Sequence, residues 1–193
     1  MSARLTLVAH ASTVATARAV FACDEGLEPR GAAAAAAATR LRRVTRAVCS
    51  PALAAVETAA ALGLAATVDA GLADWHLGAW RGRALDEVAA EHPAEVATWL
   101  ADPDAVPHGG ESLTALLARV AGWLAGAEGE GHTVAVTHAA VVRAAVVVAL
   151  GAPPAGFWRI DVAPLTATVL RGGPGRWTVR GTALPLDASP GGR

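Results

Sequence analysis

The chain contains no lysine, asparagine, glutamine or tyrosine, and several of these absences close off a class of chemistry. Without lysine there is no P-loop lysine, no Schiff base to a carbonyl substrate and no anchor for pyridoxal phosphate. Cysteine is scarce: Cys23 and Cys49 form neither a Cys-x-x-Cys pair nor a disulfide framework. Excess charge is missing too. Lys+Arg 16 against Asp+Glu 17 gives a net charge of −1, so no global field gathers nucleic acid or an anionic membrane surface. Long hydrophobic runs are also lacking. The longest, Ala139 to Leu150, carries Arg143 and falls well short of the roughly 20 residues of a membrane span, so it predicts a buried helix. The opening MSARLTLVAH has only a short apolar stretch and no cleavage site, unlike a signal peptide. A cytoplasmic protein with neither membrane nor nucleic-acid partner is expected.

What is present is a chain of 193 residues, the length of one domain, which can bury roughly 70% of its unfolded surface. The domain is expected over 1–186, with a disordered Gly/Pro/Ser-rich tail over 187–193. Short β-branched runs alternate with alanine-rich stretches. Leu5–Val8, Ala47–Val48 and Thr133–Thr137 read as strands covered on both faces, because each is apolar without alternation. Helices are predicted over Pro29–Arg43, Ala52–Leu62, Leu85–Ala90, Ala94–Leu100, Ser112–Leu124 and Ala140–Leu150, with Ser112 as an N-cap and Pro93 in a first turn. After Pro153-Pro154 the texture predicts strands at Phe157–Val162, Thr166–Leu170 and Trp177–Arg180, the last two joined by a turn at Gly172–Gly175. The pattern predicts a three-layer α/β/α sandwich with a mostly parallel central sheet and antiparallel C-terminal edge strands.

In such open sheets, ligands bind beyond the carboxyl ends of the strands. Two predicted strands run directly into histidine there: LTLVA into His10 and TVAVT into His138. Around them the sequence resembles the histidine phosphatase, or phosphoglycerate-mutase-like, superfamily. LVAHAST is similar to the family's Leu-x-Arg-His-Gly-x-Thr signature, and CSPALAAVETAAALG to its Ser-Pro-x-x-Arg-x-x-Gln-Thr-Ala segment. GLADWHLGAWRG, HGGESL and VTHAAVVRAA follow in the family's order. The resemblance implies that His10 attacks a phosphoryl group, that His138 helps bind it and that Asp74 protonates the leaving group. Thr13, Ser50, Glu111 and Arg143 fall in or beside these segments as pocket-supporting residues.

The sequence departs from the family at its phosphate clamp. The signature arginine falls on Ala9 and the second segment's arginine on Ala54; two family glycines have become Ala11 and Ala139. Asp74 is one methylene shorter than the usual glutamate, which sets the proton donor about 1 Å back. Guanidinium groups bind phosphate through paired hydrogen bonds and offset charge during transfer, so their loss predicts a weak or atypical phosphohydrolase, or a relative that binds a small-molecule ligand. One alternative is an active phosphomonoesterase in which Arg81, Arg83 or Arg143 stands in for the clamp. The other is a divalent transition-metal protein using His10, His138 and Asp74, with His76, His108 and Cys49 as further ligands. No cofactor is otherwise implied.

The remaining features read as structural. Arg40, Arg42, Arg43 and Arg46 are expected to be solvated cations near a helix C-terminus, since no aromatic residues interleave with them. Trp75 and Trp80 are expected to wall the pocket, and Trp99 and Trp123 to pack helices. Trp158 would serve an edge or a homodimer contact. His92 and His132 are expected at the surface, and substrate choice is expected from the insert spanning Leu85 to Gly110.

Overall fold

The computed structural model describes residues 3–38, 41–127, 131–173 and 176–186. One sheet contains β1 (Ala3–Ala9), β2 (Arg46–Cys49), β3 (Thr67–Val68), β4 (His132–Thr137), β5 (Thr166–Gly173) and β6 (Arg176–Pro185), in the order β3-β2-β4-β1-β5-β6. β1, β4, β2 and β3 pair in parallel, whereas β5 is antiparallel to β1 and β6 to β5. This is the expected mostly parallel sheet with an antiparallel C-terminal edge. The α-helices are α1 (Val14–Ala17), α2 (Pro29–Ala37), α3 (Leu53–Ala61), α4 (Leu85–Glu91), α5 (Pro93–Ala101), α6 (Leu113–Gly126) and α7 (Ala139–Leu150).

Strand periodicity divides the core in two. Leu5, Leu7 and Ala9 of β1 and Ala135 of β4 join one apolar cluster, with Leu116, Val120 and Leu124 of α6 and Val141, Ala144 and Ala145 of α7. Val8, Val134 and Val136 point the other way and join Ala55 and Ala59 of α3. Successive side chains of a strand face opposite sides, so a sheet buried on both faces shows no alternation of polarity. The alanine of α3 and α7 has a packing use: Ala55, Ala144 and Ala145 are fully buried. Ser112 caps α6 by accepting from the Ala115 N–H at 3.1 Å, and Pro93 opens α5, both as expected.

Three expectations are corrected. The helix predicted to Arg43 ends at Ala37; Ala38 is extended and Arg43 has φ 56°. Only Gly31 and Ala35 of α2 are buried, so high alanine propensity has little packing to extend it, and the chain turns back to enter β2. Arg42 and Arg43 are therefore exposed in a loop and Arg46 lies on a strand, so no helix dipole explains them; Arg40 lies outside the described residues. The segment Pro154–Arg159 is a 3-10 turn rather than a strand. Phe157 and Trp158 both pack on Trp75, with ring centroids 5.4 and 5.9 Å away, and a strand would send neighbours to opposite faces. His132, expected at the surface, is buried on β4. Its Nδ1 donates to Arg42 O at 3.1 Å, which leaves Nε2 to accept from Thr6 Oγ1 at 2.8 Å.

β5 and β6 pair across the expected hairpin, although 174–175 lie outside the described residues, as does the 187–193 tail. Gly172, at φ 145°, has no room for a side chain against Arg176 O. Among the described residues, no helix is long and apolar enough to cross a membrane.

Candidate active site

The site lies where three neighbouring parallel strands end. His10 follows β1 and its N–H donates to Thr137 O at 2.8 Å; Ser50 follows β2 and its N–H donates to Val136 O at 2.9 Å. His138 follows β4 and precedes α7. Adjacent strands run about 4.8 Å apart, so this topology alone places the imidazoles side by side, with ring centroids 5.0 Å apart and planes at 73°.

His10 is nearly buried, and its Nδ1 donates to Ala11 O at 2.9 Å. A carbonyl can only accept, so in the neutral ring the proton sits on Nδ1 and Nε2 keeps its lone pair, the form a nucleophile requires. His138 is 4% exposed. Its Nε2 shares a 2.8 Å hydrogen bond with Ser50 Oγ, which also accepts from the Ala52 N–H at 3.3 Å. Asp74 Oδ2 lies 3.3 Å from His138 Nδ1, out of line for a hydrogen bond, and among the described residues that nitrogen has no hydrogen-bond partner. Burial pushes the His138 pKa down; the Asp74 carboxylate opposes this and His10 adds to it.

Asp74 is held by a clamp that the sequence did not announce. Arg119 of α6 donates from Nε and Nη2 to the two Glu111 carboxylate oxygens, each at 2.9 Å. It also donates to Gly71 O and Ala73 O at 3.0 Å and to Asp74 O at 3.3 Å. Glu111 supports the site as expected, through this pair and through its backbone: its O accepts from Trp75 Nε1 at 2.7 Å, and its N–H donates to His76 O at 2.7 Å. A Cβ at Gly110 would collide with His76 O, and one at Gly78 with His108 O. The two segments can approach this closely only with glycine at those positions.

A chamber of about 260 Å³ opens beside His10 and His138, lined also by Thr13, Ser50, Ala54, Asp74, His76 and Arg81. Two further linings, Asp24 and Glu25, were missed in the sequence. Thr13 Oγ1 donates to Glu25 Oε1 at 2.7 Å and the Cys23 N–H to Oε2 at 3.0 Å. Burial alone would raise the Glu25 pKa, but these hydrogen bonds outweigh it and hold the carboxyl below its usual value. Asp24, exposed with φ 66°, accepts from the Leu53 N–H at 2.8 Å. A groove of about 480 Å³ adjoins the chamber, sharing His10, Asp74, Trp75, Arg81 and His138 with it. Phe21, Trp99, Phe157 and Trp158 line this groove, as does Leu85 from the insert expected to govern substrate choice.

The two clamp positions flank this space as alanines: Ala54 lines the chamber and Ala9 the groove, 4% and 2% exposed. Arg143 lines the groove, its Nε donating to Ile160 O at 2.8 Å and its guanidinium 5.8 Å from the Phe157 ring centroid. Arg83 is outside both cavities, paired with Glu91 at 2.6 Å. Trp80 does not line the pocket as expected; it packs in an aromatic cluster with Phe21, Trp99 and His108. His108 is buried among Trp75, Trp80 and Trp99 rather than facing the chamber, and its Nδ1 accepts from the Gly110 N–H at 3.0 Å. Trp99 packs α5 as expected, and half-buried Trp123 donates from Nε1 to Asp69 Oδ2 at 2.9 Å. Trp158 sits in the groove wall against Trp99, centroids 4.8 Å apart. His92 is partly exposed beside Glu95.

Cys49 is buried in the second core cluster, away from the chamber, and burial pushes its thiol pKa up. Among the described residues, no group of three or more His, Cys, Asp and Glu side chains is placed to hold a metal ion. One thiol, the exposed Cys23, is therefore expected to react quickly with an aromatic disulfide reagent. Cys49 should react only after unfolding, and two fast thiols would contradict the buried placement.

Three buried histidines predict an acid-sensitive fold. Burial is the main cause lowering the pKa of His108, His132 and His138. The unfolded chain therefore takes up protons that the folded chain refuses. Their contribution to stability is present above about pH 6.5, the ordinary imidazole value, and is lost as the pH falls through the lowered folded values. Thermal unfolding should show a lower Tm at about pH 5 than at about pH 7.5; equal values would refute this linkage.

The family model for the histidine phosphatase superfamily (branch 1) matches residues 5–184. The chain is 26% identical to the solved structure of Mycobacterial hydrolase 1, with a TM-score of 0.85 over 96% of this chain and 100% of that one. It is also 26% identical to mycobacterial glucosyl-3-phosphoglycerate phosphatase in complex with VO3, with a TM-score of 0.79 over 96% and 99% of the two chains. The alpha-ribazole phosphatase from Shigella flexneri, at 20% identity, shares the fold with a TM-score of 0.82 over 97% of this chain and 100% of that one. Among curated proteins none matches the sequence. With the match running through nearly the whole sheet and both strand-end histidines, the chain belongs to the histidine phosphatase superfamily, branch 1.

Proposed function

We propose that this protein is a divergent histidine phosphatase relative that keeps the His10/His138/Asp74 centre but no longer holds a phosphate dianion well. It is then a weak phosphomonoesterase whose chamber takes a different small molecule, and it works in the cytoplasm without a nucleic-acid or membrane partner. The observation that carries this reading is the charge around the chamber: among the described residues, Asp24, Glu25 and Asp74 face it against a single guanidinium, exposed Arg81.

Residual turnover would run through His10. Its Nε2 lone pair attacks phosphorus in line, the bond to the ester oxygen breaks with its electron pair, and Asp74 supplies the proton to that oxygen. Water then gives a proton to the Asp74 carboxylate as its oxygen attacks phosphorus; the Nε2–P bond breaks with its electron pair returning to the ring, and phosphate is released. Each missing electrostatic donor costs about 2.7–4 kcal/mol, or 10²–10³ in rate. Two would remove on the order of 10⁴–10⁶ if additive, which neighbouring groups rarely are.

Hydrolysis of an aryl phosphate in metal-free buffer, with wild type beside His10→Ala, tests this. Slow turnover that His10→Ala abolishes is expected. Turnover at the rate of an ordinary phosphatase would mean that a displaced guanidinium, Arg81 of both cavities or Arg143 of the groove, replaces the clamp. Turnover that survives His10→Ala would refute the phosphohistidine route.

A further inference from the structure

We propose that the chamber beside His10 binds the cationic nitrogen of an organic ligand whose apolar body lies in the adjoining aromatic groove. This names the ligand class of the same site and rests on the reading that the chamber has lost its affinity for phosphate.

Three independent features point there. Counting Asp24, Glu25 and Asp74 as −3 and Arg81 as +1, the charged chamber linings sum to −2 with neutral histidines. Glu25 is fixed in place by Thr13 Oγ1 and the Cys23 N–H. The second feature is an unmet hydrogen-bonding need. His138 is 4% exposed and lines both cavities, yet among the described residues its Nδ1 has no hydrogen-bond partner. Asp74 Oδ2 sits 3.3 Å from it and out of line. In the tautomer whose Nε2 proton is donated to Ser50 Oγ, a ligand N–H within reach of both atoms meets the Nδ1 lone pair and the Asp74 carboxylate together, whereas a phosphate dianion, which only accepts, meets neither. Third, the groove wall is aromatic, with Phe21, Trp75, Trp99 and Trp158. Such faces accept both apolar bodies and cations.

The positive groups do not reverse the balance. Arg81 is exposed at the rim, its Nε 3.5 Å from Ala22 O, and Arg143 lines only the groove, tied to Ile160 O. The cavities share six residues at their junction (His10, Ala22, Asp74, Trp75, Arg81 and His138), so one ligand can span them. Their combined size suits a small organic molecule.

The test is a titration followed by tryptophan fluorescence at about pH 7.5, where histidine is ordinarily neutral, with 2-phenylethylammonium, 2-phenylethanol and phenyl phosphate as probes. The ammonium should bind about tenfold or more tightly than the alcohol, and added salt should weaken the ammonium alone. Asp24→Asn removes a charge and keeps the oxygen that accepts from the Leu53 N–H, whereas Glu25→Gln removes a charge and keeps one of the two acceptors that hold the side chain. Each should weaken ammonium binding about tenfold without weakening the alcohol; an unchanged Tm for Asp24→Asn, and a cooperative unfolding transition at a lower Tm for Glu25→Gln, show that the fold is intact. The inference is overturned if ammonium and alcohol bind alike, if neither variant weakens the ammonium, or if Zn²⁺ or Co²⁺ alone displaces it at lower concentration. Saturable binding of phenyl phosphate would overturn the loss of phosphate affinity as well. Failure of the ammonium and phosphate together would remove this inference alone.

Discussion

Ala54→Arg in an Asp24→Asn/Glu25→Gln background should raise aryl-phosphate turnover by about 10²–10³-fold, whereas Ala54→Arg alone should raise it less than about tenfold. Position 54 lines the chamber, so a guanidinium there reaches the space in front of His10. In the otherwise unchanged chain it meets Asp24 and Glu25, and two carboxylates compete with the phosphate for its N–H groups. Neutralising them frees the fork for the paired contacts that bind phosphate and offset charge in transfer. The two steps are coupled, so the combined gain should exceed the product of the separate gains. Equal gains in both backgrounds would show that the acidic linings play no part. Both alanines are buried, so an arginine at either costs some overpacking; Ala9 is the poorer place to begin because it lines the groove and not the chamber.

Arg119→Ala should lower stability by about 2–3 kcal/mol, a loss of about 5–10 °C in Tm, and should also loosen Asp74. The side chain makes five hydrogen bonds, two to Glu111 and three to the carbonyls of Gly71, Ala73 and Asp74. Its removal strands a Glu111 carboxylate that is only 17% exposed. Because that group is partly wet, the loss falls below the full value for a buried ion pair. Glu111→Gln with Arg119 intact should lose less, since one oxygen still accepts. Calorimetric unfolding of both variants checks this, and a change within about 0.5 kcal/mol, as at an ordinary surface site, would show that the network is not holding the Asp74 segment.

The parts of this site that could be read from the sequence are those tied to a strand end or a contiguous motif. His10 and His138 terminate short apolar runs, Ser50 ends another, and the parallel pairing of β1, β4 and β2 brings them together. Asp24 and Glu25 carry no comparable signal. They sit on a loop whose path depends on a positive φ at Asp24 and on contacts with Thr13 and Leu53, neither of which leaves a period in the sequence. Arg119 lies in an otherwise ordinary amphipathic helix, and its partners at 71, 73 and 74 are remote in sequence. His108 was misplaced for a different reason. A polar residue before Gly109-Gly110 looks like a site residue, yet its ring fills an aromatic cluster once the glycines let the two segments close. The 3-10 turn at Pro154–Arg159 was hidden by strand-like residues whose two rings share one tryptophan.

The chamber's response to a phosphate-shaped anion separates a lost phosphate site from a working one. Isothermal titration of the wild-type protein with orthovanadate at neutral pH, beside Ala54→Arg/Asp24→Asn/Glu25→Gln, measures that without waiting for turnover. No saturable binding to wild type, with binding appearing in the triple variant, is the result predicted from three carboxylates facing one exposed guanidinium. Tight wild-type binding that the triple variant does not improve would contradict it, and would return the protein to the ordinary phosphatases of its family.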